Sequence, residues 1–198
     1  MTTFNIHKIF INTNSINKMK CLNAIALFGS SCEGNTNHKD IKGTVQFHQC
    51  GNGQEGTWVK INLYNFDPNK THAIHIHEYG DETNGCVSLG GHWNPDGTTH
   101  GSLYLDMPSH AGDMINNLKS DQNGRFNRIY MDPRITLQGT VDQTIIGRSI
   151  VIHYGQDDLG LGGIDPYNAE VRAGSLKTGN AGKRMACAII GRAKDGAV

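Results

Sequence analysis

Glycine constrains the fold of this chain more than any other residue, because it occupies 25 of the 198 positions. The glycines follow no fixed period, and this excludes a collagen-like triple helix. Glycine at this density, between short apolar runs, is typical of tight turns that join short β-strands. We therefore expect an all-β domain with many turns.

The segments between the glycines show the two-residue alternation of strands that face a core on one side. Residues 58–64 alternate most clearly, and residues 41–48 alternate as well. The turn signal at residues 51–53 lies between these two runs and predicts a hairpin. A second hairpin is predicted around Asn123–Gly124, with residues 125–131 as its clearer strand. Further strands are predicted at residues 23–28, 72–78, 149–153 and 185–190.

Two long segments interrupt the strand pattern, at residues 79–113 and 154–183. Loops longer than about 15 residues without structure of their own are usually functional or disordered. The sequence therefore predicts an all-β domain of about eight strands with two long functional loops.

Charge and hydropathy exclude two kinds of partner. Eighteen basic residues balance eighteen acidic ones, and this leaves no basic surface for nucleic acid. No apolar run approaches the roughly 20 residues that a membrane-spanning helix needs. We therefore expect neither a nucleic acid nor a membrane as partner.

Residues 1–20 show no clear pattern and are predicted to be a disordered N-terminal extension to a single domain at 21–198. Met19 is an alternative start. The extension lacks the apolar stretch of a secretory signal, and five cysteines, an odd number, argue against a secreted disulfide framework. We expect a reducing, cytoplasmic location with at most one disulfide; an organelle transit peptide is the alternative.

Two histidines two residues apart, His75 and His77, lie in a predicted strand and so point to the same face. They can converge on one metal ion, although most isolated pairs of this kind are structural or lie on the surface. His153 ends the apolar strand 149–152 and opens a loop, a position poorly suited to core packing. These three histidines are candidate metal ligands.

The first long loop carries a further set of three histidines and one aspartate, which matches the tetrahedral nitrogen and oxygen ligands that zinc favours. The alternative is a polar loop with incidental histidines. With the three histidines above, the chain has seven candidate ligands, one too few for two closed four-ligand sites. One histidine that binds a metal at each ring nitrogen resolves the count, and four histidines suit the tetragonal geometry of Cu(II). The loop residues are His92, His100, His110 and Asp113.

Six segments together closely resemble the copper/zinc superoxide dismutases, and the resemblance extends from about residue 23 to residue 193. It implies a Greek-key, eight-stranded β-barrel or sandwich of immunoglobulin-like architecture. The six segments are His75–Asp81, Gly91–Pro95, His110–Asp113, Ile146–His153, Asp157–Gly160 and Thr178–Cys187.

The resemblance also implies one copper ion and one zinc ion per chain, joined by His92 as the bridge. Zinc would order the loop, and copper would cycle between two oxidation states. The copper ligands implied are His75, His77, His92 and His153. The zinc ligands implied are His92, His100, His110 and Asp113.

Further roles follow from the same resemblance. Asp157 corresponds to a carboxylate that accepts hydrogen bonds from His75 and His100 and so ties the two metal sites together. Arg184 corresponds to the guanidinium that docks the anion beside copper. His92 corresponds to a group that passes a proton to the bound anion. Cys86 and Cys187 match the intrasubunit disulfide of the family, which leaves three cysteines as expected free thiols: Cys21, Cys32 and Cys50.

The implied activity is dismutation of superoxide to dioxygen and hydrogen peroxide, in a homodimer with residues 79–81 and 190–193 at the contact. The stretch 164–176 is longer than in typical members, although Lys177 stands where the family often has a lysine that attracts the substrate. A metallochaperone or metal-buffer protein with this fold is the alternative function. Superoxide dismutation at one copper per chain discriminates between the two.

Overall fold

The computed structural model describes residues 20–29, 40–51 and 55–194. Within these ranges it contains nine β-strands, one α-helix and three short 3-10 helices, at 87–89, 111–113 and 161–164. The strands are β1 (Cys21–Phe28), β2 (Lys42–Cys50), β3 (Thr57–Tyr64), β4 (Thr71–His77), β5 (Thr83–Cys86), β6 (Asn117–Lys119), β7 (Arg125–Asp132), β8 (Ser149–His153) and β9 (Arg184–Arg192), and the helix is α1 (Ala169–Thr178).

Eight strands form one antiparallel sheet in the order β6-β4-β8-β9-β1-β2-β3-β7, which curls into a nearly closed barrel. The all-β prediction is confirmed. The predicted β2–β3 hairpin is also present, with Val45 opposite Ile61. On β3 the apolar residues Val59, Ile61 and Leu63 are buried while the residues between them are exposed, so the alternation fills the core of the barrel.

The hairpin predicted around Asn123–Gly124 is wrong. β6 pairs with β4 and β7 pairs with β3, so these two strands lie at opposite edges of the sheet. The turn is nevertheless real, because the Asp121 carboxylate accepts from the backbone N–H groups of Asn123 and Arg125. The turn signal is local, whereas the strand partner is set by the packing of the whole barrel.

The two predicted loops contain short elements of their own. The first holds β5 and two 3-10 helices, and the second holds α1. The Asn168 side chain accepts from the N–H groups of Glu170 and Val171 at the start of α1, and Gly179 ends the helix with a left-handed φ of 62°. These are ordinary start and stop signals of a helix, and the prediction of a plain loop at 154–183 overlooked them.

The expectation of free thiols at Cys21 and Cys50 is also wrong, because the two form a disulfide. β1 begins at Cys21, two residues before the predicted strand, and the register places Cys21 directly opposite Cys50. A second disulfide joins Cys86 to Cys187. The expectation of at most one disulfide therefore fails. Cys32 and residues 1–19 of the predicted extension 1–20 lie outside the described residues.

The barrel core is apolar and continuous, and strands from all around the sheet contribute to it. Its largest fully buried side chains include Phe47, Ile61, Ile74, Leu118 and Ile150. Because the core is close-packed, it is a rigid support for the polar cluster on the outer side of β4 and β8.

No helix within the described ranges is long and apolar enough to span a membrane.

Candidate metal centre

Strands β4 and β8 present three of the predicted ligands. His75 and His77 alternate with the core residues Ile74 and Ile76, so both imidazoles leave the same face of β4. β8 pairs with β4 and ends at His153. The backbone of two packed strands therefore fixes these three rings.

The first long loop brings the other four ligands to the same place. His92 forms a bridge with His77 at the end of β4, and the 3-10 helix 111–113 follows His110 directly. His100 lies between these two points. All seven predicted ligands are at least 92% buried.

The seven side chains fall into two groups that share His92. Within each group, the potential ligand atoms all lie within 4.8 Å of one another. The sequence prediction of one shared histidine thus corresponds to an arrangement that the fold produces. The first group is His75, His77, His92 and His153, and the second is His92, His100, His110 and Asp113.

Each ring of the first group has one nitrogen in a hydrogen bond and one buried nitrogen without a partner. His77 Nδ1 donates to the Gly90 carbonyl at 3.0 Å, and His153 Nδ1 donates to the Gly182 carbonyl at 3.0 Å. His75 Nε2 donates to Asp157 at 2.6 Å. The unpartnered atoms are His75 Nδ1, His77 Nε2, His92 Nε2 and His153 Nε2.

Four buried lone pairs with no hydrogen-bond donor are costly in a protein interior. A metal ion that accepts all four removes this cost. Imidazole nitrogen suits copper, and a set of four suits the tetragonal preference of Cu(II). The first group, which we call the copper half, therefore fits a copper ion.

The second group, the zinc half, converges on a single oxygen. Asp113 Oδ1 lies 2.9 Å from His92 Nδ1, 2.9 Å from His100 Nδ1 and 3.1 Å from His110 Nδ1. The other oxygen of Asp113 accepts from the backbone N–H groups of His110 and Gly101. Three nitrogens and one carboxylate oxygen at one point form a donor set typical of zinc.

Asp157 joins the two halves from behind. One of its oxygens accepts from His75 Nε2, and the other lies 3.0 Å from His100 Nε2. Asn116 donates to the same carboxylate at 3.3 Å, and the Asn117 side chain accepts from the Asp157 backbone N–H at 2.9 Å. A ring held in this way keeps its other nitrogen aimed at the metal position.

Burial keeps the rings of the copper half neutral. It lowers the pKa values of His75 and His77 well below the ordinary value, and it lowers the pKa of His153 to about 4. The neighbouring His92 adds a like-charge effect in the same direction at all three rings. These rings therefore offer lone pairs, and not N–H groups, at neutral pH.

His100 in the zinc half behaves in the opposite way. Burial disfavours the charged form of His100, but hydrogen bonds to Asp113 and Asp157 outweigh burial and raise its pKa to about 9. Burial likewise opposes ionisation of Asp113, and the hydrogen bonds from His100, His110 and His92 more than reverse this and lower its pKa. A protonated His100 and an ionised Asp113 therefore attract each other in the zinc half.

Arg184 lies beside the copper half at the start of β9, opposite His153 in the register. Its guanidinium donates to the carbonyls of Cys86 and Gly90, and the Gly90 carbonyl also accepts from His77. The Arg184 charge is among the causes that lower the pKa values of His77 and His153. A fixed positive charge thus faces the copper half.

Two positioning residues escaped the sequence prediction. Arg134 forms an ion pair with Asp132, at the end of β7, at 3.0 Å. It also donates to the carbonyls of His110 and Met114, so it anchors the loop that carries His110 to β7. His72 donates through Nδ1 to the His153 carbonyl at 3.0 Å and holds the end of β8. The sequence offered one clue to His72, which is a histidine in the same predicted strand as the ligands His75 and His77.

Comparisons with known proteins agree with this geometry. The sequence profile described as copper/zinc superoxide dismutase (SODC) matches residues 41–190. "Superoxide dismutase [Cu-Zn]" of Paramecium bursaria Chlorella virus 1 is 44% identical over 186 residues, which cover 93% of this chain and 86% of the relative. "Superoxide dismutase [Cu-Zn]" of Saccharomyces cerevisiae is 45% identical over 151 residues, which cover 76% of this chain and 90% of the relative.

Among solved structures, the clock protein EA4 matches with a TM-score of 0.67 and 31% identity, over 85% of this chain and 93% of that one. The profile covers most of the chain, and the curated relatives match along most of their own length. On these grounds, and with two ligand clusters that share one histidine, the chain belongs to the copper/zinc superoxide dismutase family.

Proposed function

We propose that this chain dismutates superoxide, converting two superoxide anions and two protons into dioxygen and hydrogen peroxide. The observation that carries the proposal is the group of four unpartnered ring nitrogens beside Arg184. It provides a site for a redox-active metal next to a site for a small anion. Membership of the family supports the same activity.

The four unpartnered nitrogens would hold copper, which supplies the reversible one-electron chemistry that superoxide dismutation requires. The protein contributes the fixed positions of those nitrogens. Gly90 and Gly182 fix the rings of His77 and His153 through their carbonyls, and Asp157 fixes the ring of His75. The chain thus fixes three of the four rings, those of His75, His77 and His153, through hydrogen bonds to their other nitrogens.

Zinc would replace protons at Nδ1 of His92, His100 and His110 and would bind Asp113. Zinc has no accessible redox step, so its role here is structural. It would lock the loop that carries His92 against β4. The His100 Nε2–H bond to Asp157 can persist when Nδ1 binds metal, so the link between the halves remains.

His92 is suited to move a proton because its two ring nitrogens face different halves. Nδ1 points to Asp113, and Nε2 points into the copper half without a hydrogen-bond partner. We propose that Nε2, which would be released from the metal after the first superoxide has given up its electron, takes up a proton from solvent. It then donates this proton to the second superoxide as peroxide forms, and solvent supplies the second proton.

Arg184 would dock the anion. Its guanidinium is partly buried and held by the Cys86 and Gly90 carbonyls, so its charge is pre-oriented toward the copper half. Lys177 on α1 lines a groove that reaches His92 and His110. We propose that it adds a second positive charge that attracts the anion toward His92. Fixed positive charge in a cleft raises the rate at which an anion arrives.

We propose that the chain forms a homodimer. An open groove on β1 and β9 is lined by Ile25, Leu27 and Ile189 together with the charged residue Glu82, and Leu27 is 58% exposed. Gly191 also lines this groove. This groove continues to the predicted contact residues 190–193. Light scattering of the wild type and of Leu27→Lys, which measures molar mass in solution, tests the proposal. The wild type should have the mass of a dimer, and the variant should dissociate more readily.

We also propose a cytoplasmic location, which the odd number of cysteines favours although the structure contains two disulfides. Subcellular fractionation of the source organism tests it. A cytoplasmic protein is recovered from the cytosolic fraction. Recovery from the medium or from an organelle would contradict the location.

The proposed activity is tested by pulse radiolysis of protein loaded with one copper and one zinc per chain. Rapid second-order loss of superoxide that scales with copper content is expected. Protein loaded with zinc alone is the matched control and should be inactive. A copper-loaded chain that leaves superoxide decay at its uncatalysed rate would instead support the metal-buffer alternative.

A further inference from the structure

A third group of potential ligands lies on the β1–β2 strand pair, formed by Cys21, His48 and Cys50. The ligand atoms of these three residues lie within 4.8 Å of one another, and none of the residues belongs to the copper half or the zinc half. Cys21 and Cys50 form a disulfide. His48 Nε2 lies 3.1 Å from Cys50 Sγ.

The His48 ring is oriented by a buried amide. Its Nδ1 lies 2.7 Å from Oδ1 of Asn23, which is 5% exposed and directly opposite His48 in the β1–β2 register. An amide oxygen only accepts, so Nδ1 carries the proton and Nε2 presents its lone pair to the sulfur. A neutral imidazole fixed through its other nitrogen is the form in which histidine binds metals.

We propose that reduction of the Cys21–Cys50 disulfide creates a third metal site, in which two thiolates and His48 Nε2 bind a thiophilic cation such as Zn²⁺. Tetrahedral zinc sites have Zn–S distances of about 2.3 Å and Zn–N distances of about 2.0–2.1 Å. Three ligand atoms already gathered on one sheet surface need only side-chain rotation to reach these distances. Water would complete the tetrahedron.

The chemistry balances with a cellular dithiol as the reductant. The dithiol gives two electrons and two protons, the Cys21–Cys50 bond breaks, two thiols form, and the dithiol becomes a disulfide. Zinc then displaces one proton from each thiol, so two protons are released, and His48 binds zinc through the Nε2 lone pair. The site therefore exists in reducing conditions and is abolished by oxidation.

The position of this disulfide favours its selective reduction. Cys21 and Cys50 are both partly exposed at one end of the β1–β2 pair, whereas in the other disulfide Cys187 is partly exposed and Cys86 is only 2% exposed. Access is one of the factors that set the rate of thiol–disulfide exchange. Mild reduction should therefore open the Cys21–Cys50 bond first.

The test uses protein already loaded with one copper and one zinc per chain, reduced mildly, desalted without oxygen and then titrated with Zn²⁺. Alkylation and peptide mass mapping identify the disulfide that was opened. We expect reduced protein to bind one further zinc per chain and oxidised protein to bind none. With Co²⁺ as the probe, reduced protein should show a thiolate-to-cobalt charge-transfer band.

The matched control is the double variant Cys21→Ser, Cys50→Ser, which should bind no further zinc after the same treatment. His48→Gln should weaken the binding, and Asn23→Ala, which removes the acceptor for His48, should weaken it by about 10- to 100-fold. If the reduced wild type binds no further zinc, the two cysteines are a redox-active pair only, and the proposal is overturned. Equal binding by wild type and the double variant, or by wild type and His48→Gln, would overturn it as well.

Discussion

The copper half and the zinc half are built from different parts of the fold, although they share His92. His75, His77 and His153 are on paired barrel strands, whereas His100 and His110 are on the long loop between β4 and β6. The strands are fixed by a packed apolar core on their other face. The loop is held by polar contacts within the site, by Arg134 from β7 and by the packing of Trp93 and Ala111 against the core.

The halves also differ in their hydrogen bonding. In the copper half, four ring nitrogens have no hydrogen-bond partner, and burial lowers the pKa values of His75 and His153. In the zinc half, three ring nitrogens lie within 3.1 Å of Asp113 Oδ1, and hydrogen bonds to Asp113 and Asp157 raise the pKa of His100 to about 9. Metal binding in the zinc half must therefore displace protons, whereas the copper half offers lone pairs.

The largest effect is expected from removing a ligand on the copper side. His153→Ala should abolish dismutation and the copper absorption band, because His153 belongs to the copper half alone. Its position at the end of β8 should leave the barrel folded. Copper content, visible spectrum and pulse-radiolysis rate check this, with His48→Ala as the control on β2. Full copper occupancy with retained activity would place the copper elsewhere.

Next in size is charge reversal beside the copper half. At an effective dielectric constant near 20, two unit charges about 5 Å apart interact by roughly 3 kcal/mol. Arg184→Glu should therefore slow turnover by about a hundredfold, whereas Arg184→Lys, which keeps the charge, should slow it by about tenfold or less.

Pulse radiolysis of the three proteins across ionic strength measures this effect. Salt should slow the wild type and accelerate the Glu variant, since screening weakens attraction and repulsion alike. Unchanged copper spectra would show that the ligands are intact. Equal rates for Arg184, Arg184→Lys and Arg184→Glu would remove anion docking from the mechanism.

On the zinc side, a substitution should affect stability more than copper chemistry. Asp113→Ala removes a buried carboxylate that accepts from three rings and two backbone groups, and loss of one partner of a buried charged network costs about 3–5 kcal/mol. The thermal midpoint with and without chelator measures this effect. Asp96→Ala, at an exposed position in the same loop, is the control. A zinc-loaded Asp113→Ala protein that melts like wild type would contradict the proposed zinc site.

The smallest effect is a pH dependence confined to the zinc half. The pKa of His100 is raised from 6.5 to about 9, so protonated His100 stabilises the metal-free fold fully below pH 6.5, and this stability is lost as pH rises through 9. Urea unfolding of metal-free protein between pH 6.5 and 9.5 should show this decline. Zinc-loaded protein should not show it, because zinc replaces the Nδ1 proton. Parallel curves for the two forms would contradict the role of His100.

The sequence predicted the ligands on the strands better than it predicted the pairing of distant segments. The His75–Ile76–His77 alternation fixes two rings on one strand face, and this depends on local geometry alone. The pairing of β6 with β4, and of Cys21 with Cys50, depends on register between distant segments, which no local pattern encodes.

The positioning contacts were the hardest to predict, for the same reason. Arg134 and the Gly90 and Gly182 carbonyls act through backbone groups that are brought together only by the closed barrel. Every residue has a backbone carbonyl, so the identity of a residue does not show whether its carbonyl accepts a hydrogen bond from a ligand ring. Asp157 was recognised because the family resemblance, and not its spacing, marked it.

His92 belongs to both halves, and copper placed in both metal sites tests this most directly. When Cu(II) replaces zinc, two Cu(II) ions bound to the two ring nitrogens of one imidazolate should couple magnetically. The electron paramagnetic resonance signal of the dicopper form should then fall well below that of two independent ions, while the copper–zinc form gives the signal of one. A dicopper form with the full intensity of two independent Cu(II) ions per chain would contradict the bridge.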